Sequence, residues 1–129
     1  MRHTIHTFFL LVLIMGAGCN TPKSVAQTPK PTYNITYRLI TNAHFQHLDA
    51  CYLNRTNVGV IKKDILQQQV DMPIGVVVSG FVASISTTGY GAKDSLAMIE
   101  LQIFKNGELV AQEKTYGLNP SIAVSYVVE

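Results

Sequence analysis

The chain is predicted to fold as an all-β sandwich of seven or eight antiparallel strands, preceded by a signal peptide and a proline-containing tether. Three observations predict it. Apolar residues recur at every second position through much of residues 33–129, which is the period of a half-buried strand. No segment carries a sustained 3.6-residue period. Turn-forming clusters, Asn54-Arg55-Thr56-Asn57 and Asn106-Gly107 among them, separate the apolar runs.

The first residues have the parts of an export signal. Met1–Thr7 carries the positive Arg2, Phe8–Met15 is an unbroken apolar run, and Gly16-Ala17-Gly18 are small. The run is far short of the ~20 residues that span a bilayer. Two cleavage sites compete. Ser24-Val25-Ala26 satisfies the small-x-small rule, but Ala26 lies eleven residues beyond the apolar run. Gly16-Ala17-Gly18-Cys19 lies at the better distance and resembles the lipobox of bacterial lipoproteins, with Gly16 where that pattern prefers Leu. The resemblance implies cleavage before Cys19 and acylation of its thiol. Two or three acyl chains anchor stably where one gives only marginal binding. Residues 1–18 are therefore expected to be a lipoprotein signal peptide and 19–32 a lipid-anchored tether. Pro22, Pro29 and Pro31 make that tether an extended strap. No acidic run follows Cys19, which favours a periplasm-facing position on the outer membrane of a bacterial envelope.

From Tyr33 the strands follow in order. Tyr33, Ile35, Tyr37 and Leu39 alternate with Asn34, Thr36 and Arg38, and Leu48, Ala50 and Tyr52 make a second inward set. Val58–Ile61 and Leu66–Met72 read as a third strand region interrupted by Lys62-Lys63-Asp64, with Pro73 expected at a strand end because it cannot donate to a ladder. Val76-Val77-Val78, then Phe81, Ala83 and Ile85, are expected to supply core strands around Ser79-Gly80. Ile99, Leu101 and Ile103 alternate with Glu100 and Gln102. Asn106-Gly107 between two β runs is a strong hairpin signal, since both turn residues need positive φ. Val124, Tyr126 and Val128 form the last strand.

The series "LDACYLN…VDMP…GVVVSGFVASIS…MIELQIFKNGELVAQEKTYG…IAVSYVV" resembles the small immunoglobulin-like sandwich of MmpS-type transport-accessory proteins. Tyr52 and Asn54 match the end of that family's second strand, Met72-Pro73 its apolar-proline step, and Ile103, Gly107 and Val110 its late hairpin. Ala123 matches the small residue in its terminal strand. The resemblance spans residues 35–128 and implies a membrane-tethered partner of a transport system with no catalytic residues. Those proteins keep an uncleaved transmembrane helix, where this chain carries a cysteine for a lipid.

Charge narrows the function classes. The formal net charge is +2, and removal of residues 1–18 takes away Arg2 and no acid, leaving +1. Nine Lys/Arg against eight Asp/Glu do not make the basic face that nucleic acid requires, nor adhesion to anionic lipid by charge alone. His47, Asp49 and Cys51 project from one face of one strand, and all three residue types ligate zinc or copper. Their steps of about 6.5–7 Å are too wide for one ion without a neighbouring strand, so an exposed polar face is the competing reading and no metal is assigned. With Cys19 acylated, Cys51 is the only remaining thiol and no intramolecular disulfide forms.

Thr87–Ser95, "TTGYGAKDS", contains a Gly-x-Gly, but a strand follows it and not the helix a phosphate cradle needs. It reads as a flexible loop with Tyr90 at its tip as a contact residue. There is no Gly-x-Ser-x-Gly elbow and no carboxylate pair for acid–base work, so no enzyme activity and no cofactor are expected. Two functions from different classes remain. One is an accessory module that docks on a membrane or envelope protein through a sheet edge or the 87–95 loop. The other is a periplasmic carrier of a small apolar ligand or metal ion.

Overall fold

The computed structural model describes residues 24–129; the expected signal peptide and the expected lipidation site Cys19 lie outside the described residues. Eight strands run β1 (Thr32–Thr41), β2 (His47–Leu53), β3 (Gly59–Lys62), β4 (Gln69–Val78), β5 (Val82–Tyr90), β6 (Met98–Lys105), β7 (Glu108–Tyr116) and β8 (Ser121–Val127). They form two four-stranded antiparallel sheets, β4-β1-β6-β7 and β3-β2-β5-β8. The all-β sandwich expected from the two-residue period is what the chain adopts.

The inward residues are those the alternation selects. Ile35, Tyr37 and Leu39 of β1 and Ile99, Leu101 and Ile103 of β6 face Leu48 and Ala50 of β2, Ala83 and Ile85 of β5, and Val124 of β8. Apolar burial from two facing sheets supplies the driving force, at roughly 25 cal/mol per Å² removed from water. Tyr37 adds a polar link. Its hydroxyl donates to the Leu53 carbonyl at 2.9 Å and accepts from the Ser84 N–H at 3.1 Å. The β2–β5 ladder ends at the Tyr52/Ile85 pair, so a side chain from one sheet occupies the next rung of the other. Burial pushes the Tyr37 pKa from 10.0 up to about 12, against the pull of the Ser84 N–H and with a smaller upward push from Tyr52.

Four expectations are corrected. Val58–Ile61 and Leu66–Met72 are not one interrupted strand: β3 lies in one sheet and β4 in the other. The Asp64 backbone, at φ 51°, helps turn the chain between them. Pro73 lies inside β4 and does not end it. β4 is an edge strand bonded on one side only, where a missing N–H is tolerated. Pro73 also adjoins a bulge, since Ile35 pairs with Gly75 and Thr36 with Pro73, leaving Ile74 extra. Val76 and Val78 are exposed and only Val77 is buried, so that run alternates like the others. Thr87–Tyr90 belong to β5, and the connection to β6 spans residues 91–97.

The Asn106-Gly107 turn forms as expected, with φ of 52° and 80°. Asn106 also accepts the Asn34 N–H on its Oδ1 at 2.9 Å and donates its own N–H to the Asn34 carbonyl at 2.8 Å. The hairpin is thereby tied to the start of β1.

Candidate functional site

His47, Asp49 and Cys51 do share the outer face of β2, opposite Tyr90, Thr88 and Ser86 of β5. They do not converge on one point. Asp49 accepts the Asp64 N–H at 2.9 Å, and His47 Nδ1 lies 3.6 Å from Asp64 Oδ1 with both side chains largely exposed. These two residues hold the start of the β3–β4 connection. Asp64, which shares no period with them, escaped the sequence reading. Among the described residues, no group of three or more His, Cys, Asp and Glu side chains is placed to hold a metal ion. Cys51 is a free, exposed thiol beside Ile61 of β3 and Ser86 of β5.

The two glycines of "GYG" perform packing and turning. A Cβ on Gly89 would lie 2.8 Å from Phe45 Cδ1 and 3.0 Å from Ile99 Cδ1, so Phe45 of the β1–β2 connection rests on bare backbone. Gly91 has φ 74°, and its Cβ would lie 2.7 Å from Gln46 Cδ. No helix follows, and the phosphate reading has no support in this geometry.

Tyr90 is the last residue of β5 and is exposed. The connection that follows it was expected to be flexible, but it is tied down at several points. Gly91 N–H donates to Asn119 Oδ1 at 2.9 Å, Ala92 N–H to the Leu118 carbonyl at 3.1 Å, and Gly117 N–H to the Ala97 carbonyl at 2.9 Å. Asn42 reaches across from the β1–β2 connection, accepting the Met98 N–H at 2.7 Å and donating to the Leu96 carbonyl at 3.3 Å. Asp94 Oδ1 accepts the Leu96 N–H at 2.8 Å.

Exposed apolar side chains stand on or beside these bonded loops. Tyr90, Leu96, Tyr116 and Leu118 are between 47% and 69% exposed. Tyr90 ends a strand of one sheet and Tyr116 a strand of the other, with Leu96 and Leu118 on the bonded loops between them. A shallow cleft of about 320 Å³ lies at the same end, between Phe45, Gln46, Gly91 and Lys93. Exposed apolar residues on ordered loops and strand ends of a rigid scaffold are suited to protein contact. Of these four, the sequence singles out Tyr90 alone. Leu96, Tyr116 and Leu118 carry no local signal, because only strand direction brings them to the same end of the sandwich.

The position of these residues follows from strand direction. β1 begins at Thr32, where the strap joins, and runs ten residues, roughly 33 Å at the rise of an extended strand. β5 and β7 end, and β6 and β8 begin, at the far end of β1. These four residues therefore lie at the end of the sandwich opposite Thr32, Tyr90 on the outer face of one sheet and Tyr116 on the outer face of the other. The sequence matches no protein-family profile and no curated protein.

Proposed function

We propose that the protein is a bacterial envelope lipoprotein, anchored through acylated Cys19 on the periplasm-facing side of the outer membrane, whose sandwich is a non-catalytic docking module. The observation that carries this reading is the exposure of Tyr90, Leu96, Tyr116 and Leu118 at the end remote from the strap. A lipid at one end and exposed apolar side chains at the other leave those side chains clear of the anchor and open to an envelope or transport protein. The resemblance to MmpS-type accessory proteins points the same way.

The packed interior favours docking over the carriage of a small apolar ligand. Tyr37, Leu39, Ile85, Ile99, Leu101 and Ile103 are fully buried between the sheets, and a guest there would have to displace them.

The test is a cross-linked pull-down from native membranes with the intact chain, Cys19→Ala and Leu96→Ser/Leu118→Ser. The mature mass is taken in the same run. Acyl mass on Cys19 and one captured membrane protein, lost from both variants, is the expected result. Capture that survives the loop substitutions removes Leu96 and Leu118 from the account. A mature chain beginning at Gln27 removes the anchor, and a ligand-dependent rise in Tm would replace docking with carriage.

A further inference from the structure

We infer that β8 is a self-pairing edge, through which two copies of this chain join antiparallel into one continuous eight-stranded sheet. The sandwich has four edge strands, β4, β7, β3 and β8, and edges expose rows of unpaired N–H and C=O groups that invite another strand. Three of the four carry an obstacle to pairing. β3 has four residues and runs into Lys62-Lys63. β4 contains Pro73 and the bulge at Ile74-Gly75. β7 bears Glu108, Glu113 and Lys114, has a bulge where its register slips against Ile103/Phe104, and places Glu113 opposite the fully buried Leu101, on the inward side of its strand. β8, "SIAVSYV", has seven residues with no charge, no proline and no bulge.

The hydrogen-bond parity of β8 identifies its open groups. Gly89 N–H donates to the Pro120 carbonyl and Val128 N–H to the Phe81 carbonyl. The even-numbered residues thus face β5, as an antiparallel ladder alternates. Ser121, Ala123, Ser125 and Val127 direct their amides to the open side, and among the described residues no backbone group bonds to them there.

The occupant follows from symmetry. A two-fold axis at Val124 places Ser121 against Val127 of the second copy and Ala123 against Ser125. Each of these is a pair of residues with outward amides, so the register permits all eight main-chain hydrogen bonds. An isologous contact sets each residue of one copy against its symmetry mate, and the absence of charge along β8 spares it the like-charge clash that Glu113 or Glu108 would bring to β7. The axis lies along the sheet normal. Both Thr32 ends therefore stand at the same height over a membrane parallel to the sheets, within reach of two straps. Anchoring on one membrane raises the effective concentration of the second copy, which a single-strand contact needs.

The test is register-specific disulfide trapping of the full chain in native membranes, in a Cys51→Ser background. Ala123→Cys and Ser125→Cys are expressed separately and together under different tags. Co-expression is expected to give a disulfide-linked heterodimer several-fold above either single variant and above the parent. Equal linkage in all samples, or none in the mixture, overturns the pairing.

Charge exchange on the same edge checks the register without cysteine. Ser121→Lys/Val127→Lys should abolish the dimer, and Ser121→Lys/Val127→Glu should restore it. Residues 121 and 127 stand about 20 Å apart within one strand, so only a second copy can bring those charges together. Failure of the Lys/Glu variant to recover dimer, with its monomer melting normally, overturns the inference, as does β8-dependent capture of a different protein in place of the second copy.

Discussion

Replacing Tyr37 by Phe removes one oxygen and two hydrogen bonds from the centre of the molecule. The ring would remain, fully buried and 5.6 Å centroid-to-centroid from Tyr52, so apolar packing changes little. The Leu53 carbonyl and the Ser84 N–H, however, would lose their partner beyond the last β2–β5 rung. A buried polar group left unsatisfied costs about 1–3 kcal/mol. Both groups are half-buried, so the expected loss is about 2–4 kcal/mol for the pair. In a domain of this size that is a fall in Tm of roughly 10–20 °C.

A pH series supplies an independent arm. The folded protein holds the Tyr37 proton more tightly than the unfolded chain, with a pKa of about 12 against 10.0. The stability this contributes is fully present below pH 10 and is lost as pH rises through 12. Two pH units of displacement correspond to about 3 kcal/mol. Urea melts of wild type and Tyr37→Phe should therefore converge between pH 10 and 12, with Tyr33→Phe, whose hydroxyl makes no hydrogen bond among the described residues, as control. A loss below about 1 kcal/mol at pH 7, or parallel pH profiles, would refute the reasoning that this hydroxyl bridges the two sheets.

Three other substitutions follow from local geometry. Gly89→Ala drives a methyl against Phe45 and Ile99 and should destabilise by about 1–3 kcal/mol, with partial rescue by Phe45→Leu in the same urea melts. Gly107→Ala places a side chain at φ 80° and should cost about 1–2 kcal/mol, read as a lowered Tm with the β-sheet circular dichroism of the native state retained. Glu100 accepts from Lys114 Nζ at 3.0 Å and from Gln102 Nε2 at 2.6 Å, and the Lys114 bond first and the Gln102 bond second hold its carboxyl below the usual range. The stability it supplies is present above the unfolded carboxylate pKa and lost as pH falls through the folded value. Glu100→Gln should flatten the acid limb of a Tm–pH profile; an unchanged limb would assign that slope to other carboxylates.

Much of the sandwich is written locally. The two-residue alternation of Tyr33–Leu39 and Ile99–Ile103 specifies strands and their inward faces because successive side chains of an extended chain point to opposite sides. Asn106-Gly107 specifies its own turn because few other residue pairs accept positive φ twice. The shared outward face of His47, Asp49 and Cys51 follows from the same alternation.

What the sequence leaves open is which strands are neighbours, since pairing is decided by contacts between distant residues. β3 and β4 join different sheets, Pro73 is admitted because β4 becomes an edge, and Val76 and Val78 turn outward because β4 continues as an alternating strand. Tyr37 reads as one more inward aromatic until Leu53 and Ser84 close on its hydroxyl from the opposite sheet. Tyr90, Leu96, Tyr116 and Leu118 come to one end of the sandwich only through the directions of β5, β6, β7 and β8, and β8 becomes an open edge only when the sheet ends beside it. Local chemistry chose the strands of this protein; the closing of one sheet upon the other chose its surfaces.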